Sequence, residues 1–415
     1  MQEKIILQPP KLFSLSNHIP VYCVNAGDQD LLKIEFIFKA GTWQEEHALQ
    51  AALTNSMLME GTSSRNATQI AEDVDFFGAY LQHEYEQDSA GVRLITLCRF
   101  LEKTIPVAED VIKNSVFPEN ELGNLCARKK QHFLVNQKKV GHVARTHFPA
   151  MAFGTNHPYG RFVKESDFDT LSVSSLIHFF NVHYHANNCV IIASGKLPPD
   201  LIPLLDKHFG GNDWSREKQT SKPFPSVILE KGKKEFYQME DVMQSAVVVG
   251  GPLFNKTHPD FHGIQFVNTL LGGYFSSRLM ANIREDKGYT YGIHSGIHSF
   301  LHGGIFSIFC ETGVEHTNAV LQEIYKELKI LREVPVGSDE LRRVKNFLMG
   351  TLMRSADGPF ALAEKFRNIM EYDLDYTYYD KQAEVFMKIT ADEIMQIAKQ
   401  YFNPEEMLEL VAGGK

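Results

Sequence analysis

Histidine is the first residue type to search for metal binding or proton transfer, and the chain has 17. His294, His298 and His302 recur every four residues, a spacing that aligns side chains on one face of a helix. Gly292, Gly296, Gly303 and Gly304 break up that run, and the local pattern is a strand. Four strand residues span about 13 Å at about 3.3 Å each, too far to share a metal ion. His142 and His147 are five apart on an expected helix, also a poor ligand pair. No G-x-S-x-G occurs to place a nucleophilic serine, and no G-x-x-x-x-G-K-[ST] to cradle a nucleotide phosphate. The five cysteines, Cys23, Cys98, Cys126, Cys189 and Cys310, are odd in number and contain no C-x-x-C. This argues against a disulfide framework or a cysteine zinc site. Cys23, Cys98 and Cys310 sit in the apolar runs VYCV, LITLC and SIFC, where the expectation is small core residues.

The elements that would carry any site are those of a large ordinary globular chain. Its 415 residues suffice for two to four domains, with 43% hydrophobic and 22% charged residues. With 42 basic and 51 acidic residues the net charge is 42 − 51 = −9, which excludes a generally basic nucleic-acid binder. No apolar run approaches the roughly 18–20 residues of a membrane span. Met1 to Pro10 has no basic segment followed by an apolar one, so a cytoplasmic chain is expected. A periplasmic protein already freed of its leader would read the same.

The stretch Lys207–Pro225, rich in Gly, Ser, Lys and Pro, reads as a linker, giving expected domains 1–210 and 226–415 joined by 211–225. The order of elements repeats on either side. Leu32–Lys39 alternates like a half-buried strand, and a helix is expected over about Glu46–Glu60, closed by Gly61. In the second half Met243–Val249 is the strand, with a helix over about Pro259–Leu271 closed by Gly272-Gly273. Gly91–Cys98 precedes a helix at Thr104–Asn114, and Gly303–Cys310 one at His316–Leu331. Met57 to Cys98 is 41 positions and Leu270 to Cys310 is 40, a spacing that indicates duplication. Tyr291–Glu311 is expected to be a hairpin turning at His302-Gly303-Gly304. The fold class is α+β: two homologous halves, each a mainly antiparallel sheet covered by helices.

Gly41–Thr62 reads GTWQEEHALQAALTNSMLMEGT. It resembles the opening motif of the pitrilysin/insulinase family, the inverzincin peptidases. There a strand ending in G-[ST] leads into a helix carrying A-H-F-L-E-H-M, followed shortly by G-T. Two histidines of that helix bind zinc and the glutamate between them activates the water. Anchored on Met57 and Gly61-Thr62, the frame puts Ala52 and Ser56 at the ligand histidines and Asn55 at the base. The family's third ligand, a glutamate on a later helix, falls near Gln131–Phe133 and best matches His132. Alanine has no donor atom, serine is a poor ligand and asparagine cannot take the water's proton. His47, five residues before Ala52, is out of register. The resemblance therefore implies no metal and no cofactor in this chain.

Other segments resemble the same family in the same order: Ile70–Tyr80, the turn His157-Pro158-Tyr159-Gly160, and Phe180–Gly195. The family's C-terminal half carries an Arg and a Tyr seven residues apart that act on substrate. In Leu271–Ile293 that pattern falls on Arg284 and Tyr291. A guanidinium is a fixed donor fork for carbonyls, and a phenol can donate to the oxyanion of a tetrahedral intermediate. Tyr289 is the neighbouring candidate, set apart only by its offset, and Arg278 is expected to be structural. Missing zinc ligands beside a retained Arg/Tyr pair imply the non-catalytic subunit of a heterodimeric zinc metallopeptidase. Bacterial heterodimeric peptidases and mitochondrial processing peptidase are similar arrangements. The expected partners are an H-x-x-E-H subunit and a peptide substrate, with homodimers of the isolated chain left open. The alternative is an inert scaffold of the same fold, as in respiratory-complex core subunits that also lack the zinc motif.

Overall fold

A computed structural model describes residues 9–216 and 231–414. The expected linker 211–225 therefore lies largely outside the described residues. Eleven strands form two sheets among those described. The first sheet contains β1 (Lys11–Ser14), β2 (Pro20–Asn25), β3 (Leu32–Phe38), β4 (Tyr80–Tyr85), β5 (Ala90–Thr96) and β6 (Cys189–Gly195), in the order β1-β2-β6-β3-β5-β4. The second contains β7 (Lys234–Gln238), β8 (Gln244–Leu253), β9 (Thr290–Phe300), β10 (Gly303–Gly313) and β11 (Leu408–Gly413), in the order β7-β11-β8-β10-β9. Without β1, both sheets have the same topology: first strand, last, second, fourth, third. In each, the first and last strands pair parallel and every other pairing is antiparallel. Identical topology in both sheets is the structural form of the duplication.

The chain divides into two compact units that cut across the halves expected from the sequence. One gathers the described residues of Met1–His132, Val163–Phe224 and Ser355–Met370; the other gathers Phe133–Phe162, Pro225–Arg354 and Glu371–Lys415. Each half thus contributes a helix to the other half's sheet. Gly358–Met370 packs on β6 and β2, and Val140–Phe153 on β8, β11 and β10. At Gly141 the latter comes so close to β10 that a methyl group would overlap the Glu311 carboxylate.

This exchange explains why β3 departs from expectation. Its LKIEFIF sequence alternates as a half-buried strand should, yet all seven residues are buried. Leu32, Ile34, Phe36 and Phe38 enter the apolar core, with Met57, Ile105 and Phe209. The helix Gly358–Met370 supplies ion-pair partners on the polar side. Lys33 Nζ and Glu35 Oε2 are 2.8 Å apart, with only 4% and 3% of their surfaces exposed. Arg93, directly across the ladder on β5, and Arg367 of the helix reach Glu35 Oε1 at 3.3 and 3.7 Å. Arg93 also meets Glu84 of β4 at 2.6 Å.

Two local expectations shift as well. The helix expected over 46–60 is only Gln50–Met57, because the preceding residues turn through Leu49 at φ 72°. Cys98 is not in the core. It begins a 3₁₀ turn after β5 and is partly exposed, whereas Cys23 and Cys310 are buried.

Removing one member of a buried ion network strands the others, at a cost of about 3–5 kcal/mol. Glu35→Ala is expected to lose stability of that order in urea unfolding. Glu84→Ala, at a more exposed member of the same network, should cost about 0–1 kcal/mol.

Candidate functional site

In the first unit all eight residues of the helix Gln50–Met57 are buried. Gln50, Thr54, Asn55 and Ser56 are polar, and a buried amide such as Asn55 needs hydrogen-bond partners inside the core. The Asn55 amide donates to Gly91 O at 3.1 Å and to Tyr184 Oη at 3.0 Å. Its carbonyl oxygen lies 3.2 Å from His83 Nδ1 on β4, a hydrogen bond when that nitrogen carries the proton. Burial pushes the Tyr184 phenol far up, so it stays neutral. Burial, and then the Lys129 charge, hold His83 below its ordinary value. Burial also lowers Lys129, helped by neighbouring Arg128.

Asn55 and Tyr184 form the buried centre of this hydrogen-bonded knot, and His83 joins it from the exposed strand β4. Ala52 is buried without a donor atom, and the buried Ser56 hydroxyl has no hydrogen-bond partner among the described residues. His132, on the helix Glu119–Asn136, is exposed. No group of three His, Cys, Asp or Glu among the described residues is placed to hold a metal ion. The donor set at Ala52, Asn55, Ser56 and His132 does not fit zinc, which takes three or four N, S or carboxylate ligands.

The second unit presents the Arg/Tyr motif quite differently. Arg284 lies on Met280–Asp286, a stretch of wide π-helical turns, a geometry that recurs at functional sites. Its Nε donates to the backbone carbonyl of Tyr291 at 3.0 Å, its guanidinium lies 5.1 Å from the Phe275 ring centre, and Glu285 is 3.9 Å away. Tyr291 begins the edge strand β9 with 95% of its surface exposed. It lines an open cleft of about 390 Å³ with Met280, His294, Phe309 and Glu311. The Arg145 guanidinium lies 3.8 Å from the Phe309 ring centre and 3.8 Å from the Glu311 carboxylate. Tyr289 does not share this exposure, because its ring stacks on His316 at 4.9 Å. Arg278 grips Glu340 with two hydrogen bonds of 2.8 Å and is structural.

The structure thus gathers Ala52, Asn55 and Ser56 on one buried helix, leaves His132 outside the Asn55 knot, and joins Arg284 to Tyr291. His83, Tyr184 and Lys129 escape sequence reasoning. They come from a strand, a loop and a distant helix, with no spacing that marks them.

Sequence and structure comparisons show what the chain is similar to. The family profile described as the peptidase M16 inactive domain matches residues 170–348, a span that includes Arg284 and Tyr291. Over that span the chain is similar to the peptidase M16 inactive domain. Its likeness to M16 proteins extends well beyond that span. A Rickettsia felis protein named an uncharacterized zinc protease is 25% identical over 402 residues, 94% of each chain. A Bacillus subtilis protein with the same description is 24% identical over 368 residues, 86% of each. The crystal structure of a peptidase M16 inactive domain from Pseudomonas fluorescens matches with a TM-score of 0.88 at 22% identity, covering 98% of each chain. A protease from Helicobacter pylori matches with the same TM-score at 16% identity, covering 98% of this chain and 100% of that one. The chain is thus similar in sequence to proteins named zinc proteases and shares the fold of the solved inactive-domain structure.

The knot and the buried histidines make two predictions. Asn55→Asp replaces a donor by a carboxylate facing the Gly91 carbonyl, and should cost about 1–3 kcal/mol by chemical unfolding. Acid should also destabilise the protein. His83, His142, His147, His185, His262 and His294 are all held below the ordinary 6.5, with burial the largest cause. Below 6.5 the unfolded chain binds protons that the folded chain refuses, so stability is full above that value and falls as pH drops through it toward the lowered folded values. Urea midpoints between about pH 7.5 and about pH 5.5 should show the decline, and His83→Gln should make it shallower.

Proposed function

We propose that the chain is the zinc-lacking subunit of a two-subunit metallopeptidase, presenting Arg284 and Tyr291 to peptide held at the zinc of an H-x-x-E-H partner. The observation that carries this reading is the solvated side chain of Tyr291, which lines an open cleft while Arg284 holds its backbone carbonyl. A buried tyrosine would serve the fold; a fully exposed one held from its own backbone is placed to meet another molecule. The phenol O–H would donate to the oxyanion formed when the peptide carbonyl is attacked. The guanidinium contributes in two ways. Its Nε fixes the Tyr291 backbone, and its terminal nitrogens remain as donors toward peptide carbonyls. Zinc and the general base belong to the partner, because Asn55 here has a side chain already committed on both sides.

The test is a complex reconstituted with the zinc-bearing subunit that co-purifies from the native host. Metal analysis of this chain alone should give well under one zinc. Tyr291→Phe should lower turnover by about 10²–10³ while complex formation persists, and Tyr289→Phe should do much less. Arg284→Lys should also lower turnover, since an ammonium cannot reproduce the fork. Full activity with both Arg284 and Tyr291 removed would put an inert scaffold of the same fold ahead of this reading.

A further inference from the structure

The Tyr291 phenol is exposed because the ladder between β9 and β10 is irregular there. Ile293 pairs with Cys310 and Thr290 with Thr312, so Tyr291 and Gly292 together lie opposite the single residue Glu311. This is a β-bulge, which leaves the extra residue unpaired and re-aims its side chain. A bulge at the end of an edge strand also tends to fray, since few ladder bonds hold it.

One side chain holds this bulge from within. The Thr290 hydroxyl is buried and accepts the Gly292 N–H at 3.1 Å. Its own proton serves one of two carbonyls, Glu311 O at 2.6 Å or Gly292 O at 2.9 Å. A single oxygen thus bridges both strands across the irregularity. Thr312, its cross-strand partner, donates to Tyr289 O at 2.6 Å and closes the side nearer the helix. Arg284 holds the Tyr291 carbonyl from outside. The three contacts bracket Tyr291 along its backbone and leave its ring free.

We infer that Thr290 is a positioning residue for Tyr291, acting through its hydroxyl to fix the bulge from which the phenol projects. The inference rests on the reading of Tyr291 as a donor to substrate, but the clamp itself can be tested without that reading. Valine matches threonine in shape and lacks the hydroxyl, while serine keeps the hydroxyl and loses the methyl.

In the isolated full chain, Thr290→Val should speed amide hydrogen exchange at Gly292 by about tenfold relative to amides in the middle of β10, and Thr290→Ser should not. That local ratio separates loss of the clamp from general destabilisation, which would raise all these rates together. In the reconstituted complex, assayed with an internally quenched fluorogenic peptide mixture, Thr290→Val should lower kcat about tenfold with little change in KM, and Thr290→Ser should restore it. In a Tyr291→Phe background the valine substitution should have no further effect, because a residue acting through the phenol has nothing left to position. Unchanged Gly292 exchange in Thr290→Val overturns the clamp. An equal fall in kcat with and without the Tyr291 hydroxyl overturns the positioning role. If Tyr291→Phe alone leaves turnover intact, the peptidase reading fails, while the exchange measurement still decides the clamp.

Discussion

A sheet has two faces, and covering both of them takes the polar side chains of the second face out of water. The Glu35 carboxylate, with 3% of its surface exposed, must then be paired, and it meets Lys33, Arg93 and Arg367. Arg367 comes from residues 355–370, sequence that follows most of the second unit. The first sheet can therefore be finished only after much of the chain has been made. The second sheet has the matching requirement, since its covering helix Val140–Phe153 lies within the first half. Reciprocal exchange ties the folding of both units to the whole chain, and it gives each of two sheets of identical topology a helix over its central strands.

On this scaffold the two motif regions have gone opposite ways, for reasons visible in their solvation. A metal-assisted base must be ionised, close to water and next to ligands that give up their protons. Asn55 meets none of these conditions. Its amide satisfies a backbone carbonyl, a phenol and an imidazole nitrogen in a dry interior, as a buried amide must to avoid a large desolvation penalty. The region has become part of the core. Tyr291 has taken the reverse course, with its backbone carbonyl held by Arg284 and its ring left in water.

Much of this was legible in the residues. The mismatch of Ala52, Ser56 and Asn55 to the ligands and base of the zinc motif they resemble is a matter of side-chain chemistry alone. The duplication could be read from paired spacings because each spacing lies within one half and reflects local order. The hairpin of β9 and β10 was legible for the same reason, through its glycines and alternation. The features that escaped are non-local. Alternation in β3 reports a polar face but not the element that covers it, and the covering helix begins more than 300 residues later. The expected helix over 46–60 overran because apolar periodicity does not register the turn at Leu49. The sequence left Tyr289 and Tyr291 separated by offset alone, since strand alternation sends both to one side. The bulge at Tyr291 and Gly292 breaks that equivalence, stacking one ring on His316 and freeing the other.

The exposed ring is the strongest physical support for the role proposed for the second region. A tyrosine at a sheet edge ordinarily gains stability by lying against a neighbour, and Tyr289 two positions earlier does so. Tyr291 forgoes that contact while Arg284, Thr290 and Thr312 hold the backbone around it. Fixing the backbone that carries a solvated aromatic costs conformational entropy and gains the isolated fold little burial in return. Such an arrangement is hard to explain as packing. It is readily explained as preorganisation, in which the ordering entropy is spent before a ligand arrives so that the phenol need not be recruited during the reaction. The dry amide at Asn55 involves no such sacrifice, because every bond it makes stabilises its own unit.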